Sequence, residues 1–131
     1  IYPGFEKDYR YLIEDISRLL DMDRIIWVSL GLLRFPPRLL GHFIENNRKN
    51  LLYGEFIRGE DGKMRYIKQQ RIKVYRMLYS LLKSKNKGLF IYLCMEREDV
   101  WHKVTGMTIR NDESLIRLFD ERIKKLYGGN I

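Results

Sequence analysis

Between Lys63 and Arg76 the chain carries six cationic side chains, at 63, 65, 68, 71, 73 and 76, with no acid among them and with Tyr66 and Tyr75 interleaved. Lysine and arginine hold phosphate oxygens, and a tyrosine between them can stack on an unpaired base, so the segment suits nucleic acid. Its competing role is a solvated charged face, the usual fate of a charge run. Two apolar runs end in groups of another kind. Ser29-Leu30-Gly31 leads through Leu32 and Leu33 to Arg34, and Cys94-Met95 leads to Glu96. Gly31 permits close approach of a ligand to the backbone, or else marks a bulge or tight packing. Arg34 suits an anion or a surface ion pair. Glu96 suits a salt bridge, a helix cap or acid–base work. Glu55 suits catalysis or, sitting close to the arginines, an ion pair with them. His42 and His102 are isolated, and no Ser-His-Asp or paired-carboxylate arrangement stands out.

The elements that must position these residues follow from periodicity. Leu51–Arg58 and Lys63–Lys68 alternate in character around Gly59-Glu60-Asp61-Gly62, and an Asp-Gly pair supplies the positive φ angles of a tight turn, so residues 51–68 are predicted to form a β-hairpin. A basic helix over about 70–83 follows it. Arg24–Leu33 and Leu89–Met95 are short, apolar and rich in β-branched or aromatic residues, as strands buried on both faces are. Helices are predicted over 5–20, with Phe5, Tyr9, Leu12, Ile16 and Leu19 on one stripe, and over 37–46, where Pro37 fits a first turn. Further helices are predicted over 98–104 and over 111–127, the last capped by Asn111.

Buried strands alternating with amphipathic helices indicate parallel β/α units, whose chemistry sits at the C-terminal ends of the strands. Two complete central strands and a stub at Ile1-Tyr2 cannot cover both faces well. The chain therefore reads as an α/β fragment in one unit, the back part of a larger β/α barrel or sheet. The polypeptide is expected to extend before residue 1.

Composition narrows the partners. The chain has 131 residues, 45% hydrophobic and 32% charged, which suits a globular unit rather than a disordered one. Its net charge of +8 divides as +1 over residues 1–50, +4 over 51–80 and +3 over 81–131, so the charge is densest around the hairpin. An anionic partner is expected, most simply DNA. A single cysteine, Cys94, excludes an internal disulfide framework and an all-cysteine metal site within one copy. There is no transmembrane stretch or signal peptide, so no membrane partner is expected and a reducing cytoplasm is the default location.

The runs WVSLGLLRFPP (27–37), YGEFIRGEDGKMRY (53–66), RIKVYRMLYSLL (71–82) and YLCMEREDVW (92–101) resemble the C-terminal part of the spore photoproduct lyase family. Those are radical S-adenosylmethionine enzymes that repair a UV-induced thymine dimer in DNA. The likeness runs from about Tyr2 to Leu118. It implies a partial (β/α)6 barrel with an inserted hairpin, in which the stub is the fourth strand, Arg24–Leu33 the fifth and Leu89–Met95 the sixth. It also implies a lyase reaction: S-adenosylmethionine on a 4Fe-4S cluster yields a deoxyadenosyl radical, which abstracts hydrogen from the lesion and lets the two thymines part. Such clusters sit on a C-x3-C-x2-C motif, which this chain lacks, so the chain alone is expected to be inactive. Cys94 is not the family's hydrogen-donating cysteine, which belongs to the earlier half of the barrel, and suits a buried small hydrophobe. Arg97 stands where the family often has serine.

By this resemblance Ser29, Leu30 and Gly31 border the cofactor from one strand, and the Cys94–Met95 backbone meets its adenine edge. Arg34, Lys63, Arg65, Tyr66 and Arg71 engage DNA. The partner is the N-terminal half of the barrel, on the same or another chain. Two other readings remain at this stage. One is a basic nucleic-acid-binding module without chemistry, supported by the charge distribution. The other is a partner subunit of a split radical enzyme, pairing through an exposed barrel edge.

Overall fold

The computed structural model describes residues 1–46 and 54–128. Its elements run α1 (Phe5–Leu19), a 3-10 turn (Met22–Arg24), β1 (Trp27–Leu30), β2 (Arg34–Phe35), α2 (Leu39–Glu45), β3 (Phe56–Arg58), β4 (Met64–Tyr66), α3 (Lys68–Lys85), β5 (Phe90–Leu93), α4 (Glu98–Thr105) and α5 (Asp112–Tyr127). The fold is mixed α/β, with a parallel pair and a small antiparallel sheet. No closed barrel forms among the described residues.

β1 and β5 pair in parallel, Trp27 beside Phe90 and Leu30 beside Leu93. Alternation then sorts their side chains onto two faces. Val28, Leu30, Ile91 and Leu93 join the main core with α3, α4 and buried residues of α1. Trp27, Phe90 and Tyr92 instead meet Phe119 of α5, at ring separations of 5.0, 4.7 and 6.0 Å. Trp27 and Phe90 open their strands, and Arg122 of α5 donates to the Ile25 and Ile26 carbonyls just before β1. α5 therefore covers the N-terminal ends of the strands. The opposite ends, at residues 29–31 and 94–96, stay clear of it.

The run Arg24–Leu33, predicted as one strand, divides. Asp21 accepts a hydrogen bond from the Asp23 N–H at 3.0 Å and winds Met22–Arg24 into a 3-10 turn. The chain leaves the parallel pair after Leu30, and Arg34 and Phe35 then pair antiparallel with Arg65 and Met64. The hairpin is thus three-stranded, in the order β2-β4-β3. Residues 51–53 of its predicted span lie outside the described residues. Its turn differs from the two-residue Asp-Gly type. Gly59 N–H donates to the Lys63 carbonyl at 2.8 Å and Gly62 N–H to the Gly59 carbonyl at 2.9 Å, leaving a three-residue loop. Gly62 alone has positive φ, at 75°, as the bulged form of this turn requires.

α3 is longer than its apolar stripe, and ends where the Asn86 side chain donates to the Met22 carbonyl and to Asp23. Asn111 caps α5 by accepting from the Ser114 N–H at 2.9 Å, as its sequence predicts. On α1 the stripe is only partly covered. Phe5 and Ile13 are buried, while Tyr9, Leu12 and Leu19 remain exposed. No helix among the described residues is long and apolar enough to cross a membrane.

Candidate functional site

At the C-terminal end of β5 the backbone turns sharply. Met95 adopts φ 58°, a left-handed conformation that costs a side-chain-bearing residue energy and must be held by its surroundings. Arg65 on β4 supplies part of that hold, donating through Nη2 to the Met95 carbonyl at 3.1 Å and to Glu96 Oε1 at 2.9 Å. Arg71, in the first turns of α3, reaches the same carboxylate, Nε to Oε1 at 2.9 Å and Nη2 to Oε2 at 3.3 Å. Its Nη1 donates to the Tyr66 carbonyl. The Glu96 side chain is 1% exposed, against 7% for the Arg71 side chain and 16% for that of Arg65.

Tyr75 extends this network. It is almost wholly buried, and burial followed by the Glu96 charge pushes its pKa up. Strand ends, hairpin and α3 thus converge on one carboxylate. Two guanidiniums face it, and Arg65 Nε is buried without a hydrogen-bond partner. This is a structural use of residues whose types also suit DNA. Arg71 has no guanidinium edge left for a phosphate in this arrangement.

The hairpin tip is held similarly. Arg34 Nη1 donates to Asp61 at 2.9 Å, and Arg97 pairs with Glu60. The Lys63 backbone N–H, with Arg34, Arg65 and Lys63 as neighbouring charges, keeps the Asp61 carboxyl below its ordinary pKa against a smaller burial penalty. Lys68 pairs with Asp99 on α4. Lys63 is half-buried and, among the described residues, makes no ion pair.

Tyr66 is 3% exposed. Its ring stacks on Phe56 at 4.6 Å, and Phe56 meets Phe35, which meets Phe43 of α2. The aromatic chain anchors the hairpin to the strand that follows β1. A base could reach the Tyr66 face only if the hairpin shifted.

A cavity of about 370 Å³ opens at the C-terminal end of β1. Ser29, Leu30 and Gly31 form one wall, Phe5 and Tyr9 of α1 another, and Tyr66 of the hairpin contributes a third. The strand end and the basic hairpin therefore share one space. Gly31 has ordinary φ, and a methyl group there would only touch the Cys94 side chain at 3.7 Å, so packing does not demand glycine. Cys94 and Met95 do not border the cavity. Cys94 N–H donates to the Leu30 carbonyl at 2.8 Å, which extends the strand pairing by one bond.

The largely apolar walls suit the adenosine part of a nucleoside cofactor. They do not suit an iron–sulfur cluster, since the chain has one cysteine and the described residues hold no group of metal-ligating side chains. The Tyr75–Glu96 contact was not legible in the sequence. Its signal was an acid directly after a buried strand, facing a helix with an arginine and a tyrosine one turn apart. Comparison with family models, curated proteins and solved structures finds no match to this chain.

Proposed function

We propose that this chain is the distal part of a radical S-adenosylmethionine DNA lyase of the spore photoproduct lyase kind, supplying one wall of the cofactor pocket and a basic hairpin that meets DNA. The observation that carries the reading is the shared cavity: Ser29, Leu30 and Gly31 at a parallel strand's C-terminal end face Tyr66 from the cationic hairpin across about 370 Å³. A cofactor held there would lie beside DNA held by the hairpin. Chemistry at the C-terminal ends of parallel strands is the rule for β/α architectures.

When bound, the cofactor supplies a carbon radical that takes hydrogen from the damaged thymine. The cluster that generates it belongs to residues outside this chain, on the same or another polypeptide. Within this chain, Ser29–Gly31 would orient the adenosine, and the apolar wall of Phe5, Leu30 and Tyr9 would exclude water. Lys63 would meet the DNA phosphates directly. Arg65 and Arg34, both also ion-paired, would join it at the hairpin surface, while Arg71 and Tyr66 would hold the hairpin in position. A preceding strand–helix unit would cover the free side of β1 and the exposed Tyr9, Leu12 and Leu19 of α1.

The test is reconstitution with a polypeptide carrying a C-x3-C-x2-C motif, under anaerobic conditions with irradiated DNA. Release of 5′-deoxyadenosine together with loss of the thymine lesion is expected. Cofactor cleavage that is identical with and without this chain would overturn the proposal.

A further inference from the structure

A second site lies at the other end of the strands. Lys83 near the end of α3, Arg122 and Lys125 of α5, and Gly88 in the turn before β5 border a recess of about 220 Å³. Arg122 is 6% exposed, and its Nε and Nη2 are taken by the Ile26 and Ile25 carbonyls. Lys83 Nζ donates to the Lys87 and Leu89 carbonyls at 3.1 and 2.6 Å. Among the described residues no acid forms an ion pair with any of the three cations. Glu121 stands at the rim, exposed.

A buried cation without a counter-ion is costly, and three converging ones repel. Burial and then the charges of Arg122 and Lys125 depress the Lys83 pKa. Two of the donors, Lys125 Nζ and Arg122 Nη1, approach one point beside Asn86 Oδ1, and Lys83 Nζ borders the same recess over the Tyr79 ring. A side chain added at Gly88 would meet Lys125 Nζ at 3.1 Å and Arg122 Nη1 at 3.4 Å, so the missing side chain leaves the floor of the recess open to both. Arg122 Nη1, the remaining Lys83 N–H and the Lys125 ammonium are left to bind an acceptor.

We propose that the recess bounded by Lys83, Arg122, Lys125 and Gly88 binds a phosphate group, as inorganic phosphate or at the end of a small phosphomonoester. Several acceptor oxygens on one compact dianion match donors arriving from three directions. The recess is concave and lies at the strand ends away from the basic hairpin, which favours a terminal phosphate over a phosphodiester within a duplex.

The experiment follows thermal unfolding and calorimetric binding of the full chain with inorganic phosphate, glycerol phosphate, a short DNA duplex, and chloride at matched ionic strength. Saturable stabilisation by the two small phosphates and not by chloride is expected. Lys125→Gln and Lys83→Met should each weaken binding by about tenfold, the loss of one charge-assisted contact. Lys124→Gln, which removes a neighbouring exposed charge outside the recess, should bind as the parent does. Should Lys83→Met not fold, the exposed Lys125 carries the comparison alone. The proposal fails if small phosphates act no more than chloride, if Lys124→Gln and Lys125→Gln lose affinity equally, or if the duplex binds here and the small phosphates do not.

Discussion

Arg71 and Glu96 form a two-pronged ion pair, Nε to Oε1 at 2.9 Å and Nη2 to Oε2 at 3.3 Å, between the start of α3 and the end of β5. Arg65 on the hairpin adds a third bond to the same carboxylate. Removing the acid leaves two guanidiniums facing each other in a buried place. Glu96→Gln should therefore destabilise the fold by about 3 kcal/mol, with Arg71→Met costing more than Arg65→Met because Arg65 can turn to water. Urea unfolding measures all three. An unchanged midpoint for Glu96→Gln would mean that the carboxylate does not hold the strand ends.

Alkaline pH should act through Tyr75. Its folded pKa is raised above the ordinary value of 10.0 by burial and by Glu96. The folded state then keeps a proton that the unfolded chain releases, so this contribution is full below pH 10 and is lost as pH rises above it. Tyr66 and Tyr79, also raised by burial, act in the same sense. Lys83, whose pKa is lowered, acts in the opposite sense on the approach to its ordinary 10.5. The melting temperature should fall as pH rises above about 10, and Tyr75→Phe should flatten that fall while lowering stability at neutral pH. A parallel slope in the variant would remove Tyr75 from the account.

Gly31 separates fold from ligand. An added methyl meets only the Cys94 side chain, at an ordinary contact distance of 3.7 Å. Gly31→Ala should leave stability within about 0.5 kcal/mol. In the reassembled enzyme it should still weaken S-adenosylmethionine binding if the cofactor packs against the Gly31 backbone that borders the cavity. Unaltered cofactor affinity would show that the β1 end is not part of the pocket.

The cations of the hairpin should divide into two kinds. Lys63→Ala should lower the salt dependence of DNA binding by about one unit, with little change in stability. Arg71→Ala should do the reverse, since its bonds are internal. Filter binding across a salt series, paired with thermal melts, tells the two apart. A lowered salt slope for Arg71→Ala without destabilisation would assign that side chain to DNA.

The helices and the two parallel strands were legible because their signals are local. Asn111 announces a cap, and LFIYLCM announces a buried strand. The division of Arg24–Leu33 was legible only in part: the Asp21 cap on Met22–Arg24 is a local signal that the single-strand reading passed over, while the pairing of Arg34 with Arg65 depends on a hairpin some thirty residues away. The fate of the cations escaped for the same reason. Arg65, Arg71 and Lys63 are alike in sequence, and only the distant Glu96 decides which of them turn inward. Ser29, Leu30 and Gly31, named because strand ends are where such folds open, border a cavity. Cys94 and Met95, chosen on the same ground, proved to lie off the cavity.

The register that sets Trp27 beside Phe90 has a kinetic meaning. The parallel pair closes a loop of about sixty residues, whose entropy cost falls due before the pair returns any stabilisation. α3 and the hairpin lie within that loop, and forming them first shortens the search. Refolding should thus be limited by forming α3 and the hairpin, with β1 zipping against β5 after that step. Val28→Ala should slow it little and speed unfolding more, whereas helix-weakening changes on the exposed face of α3, such as Lys73→Gly, should slow refolding itself.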